Sequence, residues 1–124
     1  MKKILIIDHS LTARFIIRKM VEKTGKSVSI LEASDGVEAY SILENESADI
    51  DLVITSLMLS KMSGITLLKK MQLSESLCRI PVILTCIGGG REIIKKQLSG
   101  CNLAGFIGKP VTYRSFMRTA GGFL

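Results

Sequence analysis

Short runs of consecutive apolar residues recur along this chain, and they restrict its fold more than any other feature of the sequence. Uninterrupted runs of this kind are typical of strands buried on both faces of a parallel sheet, whereas an alternating segment is typical of a half-covered strand. The strands that we expect, of which the second is the alternating one, lie at residues 3–7, 28–33, 51–55, 81–85 and 104–107.

Segments with helical periodicity separate and follow these strands. After Ser10, a predicted N-cap, apolar residues recur every three or four positions, which is typical of an amphipathic helix that ends near Gly25. This expected buried stripe consists of Ala13, Ile16, Ile17, Met20 and Val21. On another face of the same helix, Arg14, Arg18 and Glu22 have the i, i+4 spacing of side chains that pair on a helix surface.

The later helices begin at recognisable start signals. Asp35 and Glu38 have the spacing of a capping pair, and the helix that they open is expected to bury Val37, Tyr40 and Leu43. The three remaining helices are expected to begin at Ser63, at Arg91 after the Gly88-Gly89-Gly90 loop, and at Thr112.

Five strands alternating with five helices in about 120 residues imply right-handed crossovers and one three-layer αβα domain that spans residues 1–124. In such a parallel sheet, ligands bind outside the carboxyl ends of the strands. The polar residues at those ends are Asp8, Ser56, Thr85 and Lys109, and we expect the functional site there.

Composition narrows the class of protein. Hydrophobic residues make up 47% of the chain, which is enough for a packed core, and no apolar run reaches the ~18 residues of a membrane helix. The three cysteines contain no C-x-x-C pair, which argues against a disulfide framework and a thiolate zinc site. We expect a cytoplasmic protein without membrane insertion.

The formal net charge of +6 at pH 7 suits an acidic partner. The basic residues are scattered rather than clustered and have almost no interleaved aromatic residues, so we expect a protein partner and consider nucleic acid unlikely for this domain.

Five motifs in order make the chain resemble the response-regulator receiver domain (CheY-like) of bacterial two-component signalling. They are Lys3-Ile4-Leu5-Ile6-Ile7-Asp8, Ala33-Ser34-Asp35-Gly36-Val37-Glu38-Ala39, Met62-Ser63-Gly64, Ile80-Pro81-Val82-Ile83-Leu84-Thr85 and Lys109-Pro110. The resemblance implies a flavodoxin-like fold with strand order 2-1-3-4-5. It also implies switch roles for Thr85, Phe106 and Lys109, and a cis peptide bond before Pro110.

The acidic pocket departs from this family pattern. Receivers that accept phosphate have two adjacent acids after the first strand and an Asp after the third, whereas here Asp8 is followed by His9, and Ser56 stands at the phosphoacceptor position. The resemblance therefore implies a degenerate receiver, or pseudo-receiver. With Asp8 facing Lys109 alone, the charges sum to about zero, so we expect no metal and no cofactor.

Other roles for these residues are open from the sequence. His9 with one Asp is too small a ligand set for zinc, and a Ser56-His9-Asp8 relay lacks the G-x-S-x-G motif of a hydrolase. We expect Ser56 to form a local hydrogen bond with Thr85 or Lys109, and Phe106 to pack as a core aromatic residue.

Two surfaces are candidates for partner binding. The resemblance implies a face made of the fourth helix, fifth strand and fifth helix, which would carry Lys95, Lys96, Arg114 and Arg118 and favour an acidic protein. On the first helix, Leu11 and Phe15 lie outside the apolar stripe, ringed by Arg14, Arg18 and Lys19. They can form the centre of a contact, and a homodimer is possible through either face.

The function expected from the sequence is that of a phosphorylation-independent protein interaction module rather than an enzyme. One alternative is a receiver-type switch controlled by another input, either a small ligand in the pocket or modification of Ser56. A nucleic-acid-binding domain driven by the positive charge is a further alternative.

Overall fold

The computed structural model describes residues 1–46 and 49–124. Its strands are β1 (Lys2–Ile7), β2 (Val28–Ala33), β3 (Leu52–Ser56), β4 (Val82–Cys86) and β5 (Leu103–Gly108). Its helices are α1 (Leu11–Lys23), α2 (Gly36–Glu46), α3 (Gly64–Gln72), α4 (Arg91–Gln97) and α5 (Tyr113–Ala120), followed by a 3₁₀ turn (Gly121–Phe123). The strands form one parallel sheet in the order β2-β1-β3-β4-β5, which confirms the expected topology.

The continuous apolar runs bury both faces of the sheet, because successive side chains of a strand point to opposite sides. In β1, Leu5 and Ile7 pack into a core that also contains Leu43 of α2 and residues of α3 and α4. Ile4 and Ile6 pack into a second core with residues of α1 and α5, among them Phe116. The two cores give the three layers that the sequence predicts.

Side-chain caps fix where three helices begin. Ser10 Oγ accepts a hydrogen bond from the Ala13 backbone N–H at 3.2 Å, as expected. Ser63 Oγ accepts one from the Thr66 N–H at 3.1 Å, and Thr112 forms a capping box with Ser115 at the start of α5. These caps satisfy backbone donors that have no partner inside their helices.

The capping pair that precedes α2 differs slightly from expectation. Asp35 Oδ1 accepts from the Glu38 N–H at 2.8 Å, but Glu38 Oε1 accepts from the N–H of Ser34, one residue before Asp35, at 2.7 Å. The hydrogen bond from the Glu38 N–H, together with the positive charge of Lys61, lowers the pKa of Asp35 despite some desolvation.

The expected buried faces of α1 and α2 are largely confirmed, but one residue on each helix was placed wrongly. Val37 was expected inside, but it is 51% exposed, because α2 buries Gly36, Ala39 and Leu43 instead. Ile16 was expected in the α1 stripe, but it is exposed, whereas its neighbour Ile17 is buried. Val37 and Ile16 therefore lie at the edges of their apolar faces, where hydropathy alone does not decide burial.

The two arginines that share a face of α1 with Glu22 have their partner outside the helix. Arg14 and Arg18 both bind Glu32 of β2, with Arg14 Nε 2.8 Å from Oε1 and Arg18 Nη2 2.7 Å from Oε2. Partial burial raises the pKa of Glu32, but hydrogen bonds and charge from the two guanidinium groups lower it by more, so its net pKa lies below its ordinary value. This cluster connects α1 to the edge strand of the sheet.

The strand ends differ from prediction by at most one residue, and this has one consequence for the site. The end of β3 extends to Ser56 and that of β4 to Cys86, so Ser56 lies inside a paired strand rather than just after it, and Thr85 is not the last residue of its strand. Within the described ranges, no helix is both long and apolar enough to cross a bilayer.

Candidate functional site

The four polar residues expected at the strand ends meet at one edge of the sheet. Asp8 directly follows β1, and Lys109 directly follows β5. Ser56 and Thr85 are register partners on the adjacent strands β3 and β4. Parallel strands therefore bring residues from four distant parts of the chain together.

An ion pair lies at the centre of this site. Lys109 Nζ is 2.8 Å from Asp8 Oδ2, and Asp8 is only 1% exposed. The other carboxylate oxygen, Oδ1, accepts a hydrogen bond from the Ser10 backbone N–H at 2.9 Å. Both oxygens of Asp8 therefore have partners, as a buried charge requires.

Ser56 is buried and has partners on two sides. Its Oγ donates to the Met58 carbonyl oxygen at 3.2 Å and accepts from Lys109 Nζ at 3.3 Å. The expected local hydrogen bond of Ser56 is thus made with Lys109 and not with Thr85.

Thr85 differs from its neighbours. It is 1% exposed, and its Oγ1 is a buried polar atom without a hydrogen-bond partner among the described residues. By contrast, the equally buried Thr55 on β3 donates its hydroxyl to the Ser56 carbonyl oxygen at 3.1 Å. A buried hydroxyl without a partner is costly and needs an explanation.

Phe106 packs in the core below this site, as expected. The guanidinium carbon of Arg91 lies 5.6 Å and Lys95 Nζ 6.0 Å from the centre of its ring. These distances allow weak cation–π attraction, so two basic side chains of α4 cover the aromatic residue.

The side chain of His9 does not join the site as a base. It is mostly exposed, and its Nδ1 lies 3.6 Å from Asp8 Oδ1, which is too long for a hydrogen bond. The hydrogen bonds of Ser56 run to Met58 and Lys109 rather than to His9. A Ser56-His9-Asp8 relay is therefore not formed.

The donor set does not fit the magnesium ion that the receiver resemblance implies. Among the four polar residues of the site, Asp8 supplies the carboxylate, and both of its oxygens already accept hydrogen bonds. In residues 1–46 and 49–124, no three His, Cys, Asp or Glu side chains converge on a point where a metal ion would bind. Mg²⁺ requires several hard oxygen ligands in octahedral geometry, which these residues do not supply.

A cavity of about 210 Å³ is lined by three of the four polar residues, Ser56, Thr85 and Lys109, but not by Asp8. His9 also lines it, together with residues that were not expected at the site: Leu57, Met58, Cys86 and Ile87. The sequence contained one sign of these residues: apolar residues directly follow Ser56 and Thr85, at positions where loops usually carry polar residues.

The predicted partner surfaces are exposed. Leu11 is 70% and Phe15 54% exposed on α1, but Arg14 and Arg18 turn away to Glu32 and do not ring them, which corrects that expectation. Lys19 alone of the three expected basic residues contacts the patch, with Nζ 5.2 Å from the centre of the Phe15 ring.

The second predicted surface carries exposed basic residues on two helices. Lys95 and Lys96 lie on α4, and Arg114 and Arg118 lie on α5. A groove of about 490 Å³ runs between α4 and the edge strand β5, with Arg91 and Lys95 on its wall.

The backbone also follows the pattern that the resemblance implies. The peptide bond between Lys109 and Pro110 is cis. Gly64 allows the start of α3 to approach the site closely, since a Cβ there would lie 2.7 Å from the Ser56 carbonyl oxygen.

Comparison with known proteins identifies this architecture. Residues 4–120 match the model of the response regulator receiver domain family. The chemotaxis protein CheY-3 of Vibrio cholerae is 36% identical over 111 residues, which cover 89% of this chain and 82% of that protein. The chemotaxis protein CheY of Pseudomonas aeruginosa is 33% identical over 111 residues, covering 89% of this chain and 86% of that protein.

Solved structures agree with the family match. The chemotaxis response regulator CheY4 of Vibrio cholerae superposes with a TM-score of 0.84 at 21% identity, covering all of this chain and 99% of that one. A receiver domain of a histidine kinase from Syntrophus aciditrophicus has a TM-score of 0.81 at 25% identity, covering 100% of this chain and 90% of that one. With the sequence match spanning nearly the whole chain and the fold in agreement, this chain belongs to the response regulator receiver domain family of two-component signalling.

Proposed function

We propose that this receiver domain is a degenerate one, a pseudo-receiver that binds a signalling protein without being phosphorylated. The observation that carries the proposal is the ion pair between Asp8 and Lys109 at 2.8 Å, with Ser56 in place of a third-strand carboxylate. We propose no enzymatic activity and no bound cofactor for it.

Charge balance at the site supports the first half of the proposal. Three carboxylates facing one lysine leave about two net negative charges, which a divalent cation neutralises. Here Asp8 and Lys109 neutralise each other, and the serine hydroxyl of Ser56 brings no charge. A phosphoryl donor therefore finds neither a divalent cation to orient it nor a carboxylate at the end of β3 to attack it.

Ser56 is also a poor nucleophile in this setting. A serine hydroxyl needs a neighbouring base to remove its proton, and Ser56 Oγ instead lies 3.3 Å from the cationic Lys109. Its burial also argues against the alternative in which a separate kinase modifies Ser56, because such an enzyme must reach the hydroxyl.

The charge of the surface favours an acidic protein as the partner. The exposed basic residues on α4 and α5 are Lys95, Lys96, Arg114 and Arg118, and Lys95 also lines the groove along β5. Opposite charges across an interface speed association and select partners. The exposed patch of Leu11 and Phe15 on α1 offers a second contact surface, and we propose it as the interface of a homodimer.

Nucleic acid is the weaker alternative as a partner. The exposed basic residues are spread over α1, α3, α4 and α5, and few aromatic residues lie between them to stack on bases. A DNA-binding measurement repeated at rising salt tests this alternative, since binding through phosphates weakens steeply with salt.

Incubation with acetyl phosphate and Mg²⁺, followed by intact mass measurement, tests the proposal. We expect no phosphoryl adduct on the natural protein. The paired variant His9→Asp with Ser56→Asp, which rebuilds three carboxylates, is the matched control, and we expect it to gain an acid-labile adduct. A stoichiometric adduct on the natural protein overturns the proposal, and an acid-stable, alkali-labile one identifies phosphoserine.

A further inference from the structure

The cavity lined by Ser56, Thr85 and Lys109 has features that the loss of phosphorylation alone does not explain. It has a volume of about 210 Å³, which is room for several water molecules. Its lining combines the polar residues His9, Ser56, Thr85 and Lys109 with the apolar residues Leu57, Met58, Cys86 and Ile87.

The hydroxyl of Thr85 is the first observation that points to a ligand. This side chain lines the cavity, is 1% exposed, and has no hydrogen-bond partner among the described residues. A polar group in that position is expensive unless something bonds to it. The staggered rotamers about its Cα–Cβ bond are about 120° apart, so a change of rotamer moves the hydroxyl well away from its present position.

Lys109 supplies a second hydrogen-bonding group. An ammonium has three N–H donors, and two of them serve Asp8 Oδ2 and Ser56 Oγ. The third has no partner among the residues described, and Lys109 also lines the cavity. A ligand can therefore accept one hydrogen bond from Lys109 and exchange one with Thr85.

Large apolar residues lie in the loops at the opening of the cavity, where loop residues are usually polar. Met58 is 75% and Ile87 81% exposed, and both lie on the rim beside the partly buried Leu57. Large apolar side chains at the opening of a pocket with convergent polar groups are typical of small-molecule sites.

The charge of the site decides the class of ligand. Asp8 and Lys109 already form an ion pair at 2.8 Å, so a phosphate or other dianion would enter a site with no net positive charge. An uncharged hydrogen-bonding group avoids this cost, because nothing has to neutralise it.

We propose that this cavity binds an uncharged carbonyl compound with a short aliphatic body. The carbonyl oxygen accepts the third N–H of Lys109, the Thr85 hydroxyl bonds to the same polar head, and the aliphatic part lies against Met58 and Ile87. This small-molecule site goes beyond the proposed protein-binding function. The two proposals can fail separately, because the test of the small-molecule site does not measure phosphoryl transfer.

The probe for the test is pentanamide, titrated into ¹⁵N-labelled protein while backbone amide shifts are recorded. We expect saturable shifts at Thr85, Cys86 and Lys109 with a dissociation constant in the millimolar range. Pentanoate and inorganic phosphate are the charged comparisons, and we expect each to bind at least tenfold more weakly than pentanamide.

Two variants and a control assign the binding to these side chains. Thr85→Val keeps the shape but removes the hydroxyl, and it should weaken pentanamide binding about tenfold, the effect of losing one hydrogen bond. Ile87→Ser, at an exposed position, should weaken binding by several-fold without affecting folding. Thr66→Val, an exposed threonine on α3 outside the cavity, should leave binding unchanged.

Three outcomes overturn the proposal. They are an absence of saturable shifts with pentanamide, tighter binding of pentanoate or phosphate, and unchanged affinity in both Thr85→Val and Ile87→Ser. Because each of these variants acts on a different wall of the cavity, a folding defect in one still leaves the other to decide.

Discussion

At the scale of single residues, the site is divided between satisfied and unsatisfied polar groups. Asp8, Ser56 and Thr55 are buried, and each has a hydrogen-bond partner within the described chain, whereas Thr85 Oγ1 has none. Removing a satisfied hydroxyl loses a hydrogen bond, but removing an unsatisfied one relieves a penalty. Two threonines on neighbouring strands therefore respond to the same substitution in opposite ways.

We expect Thr85→Val to raise the free energy of unfolding by about 1 kcal/mol, because a buried hydroxyl without a partner is replaced by a methyl group. Thr55→Val is the matched control and should lower it by about 1 kcal/mol, because it loses the hydrogen bond to the Ser56 carbonyl oxygen. Urea denaturation of the two variants measures both values. Equal destabilisation by the two changes would contradict the assignment of Thr85 as unsatisfied.

At the scale of elements, the position of α3 against the site depends on a glycine. The Gly64 N–H donates to the Leu57 carbonyl oxygen at 3.0 Å, and a Cβ on Gly64 would lie 2.7 Å from the Ser56 carbonyl oxygen and 3.1 Å from Leu57 Cα. Both of these atoms belong to the backbone at the end of β3. They cannot move without displacing Ser56.

Gly64→Ala should therefore lower the free energy of unfolding by about 1–3 kcal/mol, the usual cost of forcing an extra methyl group into a packed region. Gly89→Ala is the control, because a Cβ on Gly89 meets nothing within 4 Å and the residue does not have a positive φ. That change should leave stability unchanged or raise it by up to about 1 kcal/mol. Chemical denaturation of both variants tests the difference, and a Gly64→Ala protein as stable as the natural one would count against the close approach.

The contact between α1 and β2 should make stability depend on pH. Arg14 and Arg18 lower the pKa of Glu32 below its ordinary value of 4.5, so the unfolded chain binds the proton more readily than the folded one. Stability from this cluster is then fully present above about pH 4.5 and is lost as the pH falls through the lower, folded-state pKa.

Glu32→Gln should cost about 1 kcal/mol near neutral pH. The difference from the natural protein should shrink as the pH falls below about 4.5, since protonation removes the charge of Glu32 in both states. Urea unfolding of both proteins between neutral pH and about pH 3 measures it. A difference that stays constant over this range would mean that Glu32 does not act through its charge.

At the scale of the whole molecule, the sequence predicted the sheet and the place of the site because burial on both faces leaves a continuous apolar run such as Ile4 to Ile7. It misplaced Val37 of α2, because the small residues Gly36 and Ala39, which the helix buries, carry little hydropathy signal. Gly36 has no room for a side chain, since a Cβ there would lie 2.6 Å from Met62 Cβ. Two features depend on side-chain conformation and on neighbours distant in sequence. They are the unpartnered hydroxyl of Thr85 and the contacts of Arg14 and Arg18 with Glu32. Periodicity does not contain that information.

The site itself is a property of the whole chain, because β1, β3, β4 and β5 each contribute one of its residues. Its chemistry depends on the balance between Asp8 and Lys109, which lie 101 residues apart. A single restored carboxylate at Ser56 leaves His9 where a second metal ligand would be required. Restoring both positions supplies the oxygen ligands that Mg²⁺ prefers.

Calorimetric titration with Mg²⁺ most directly tests the charge balance between Asp8 and Lys109. Three proteins are compared: the natural protein, the Ser56→Asp variant, and the variant that carries both His9→Asp and Ser56→Asp. We expect no binding to the natural protein or to the single variant, and at least weak binding to the pair. Saturable binding of Mg²⁺ to the natural protein would contradict the claim that Lys109 neutralises the site. Binding to the single variant as tight as that to the paired variant would contradict it too.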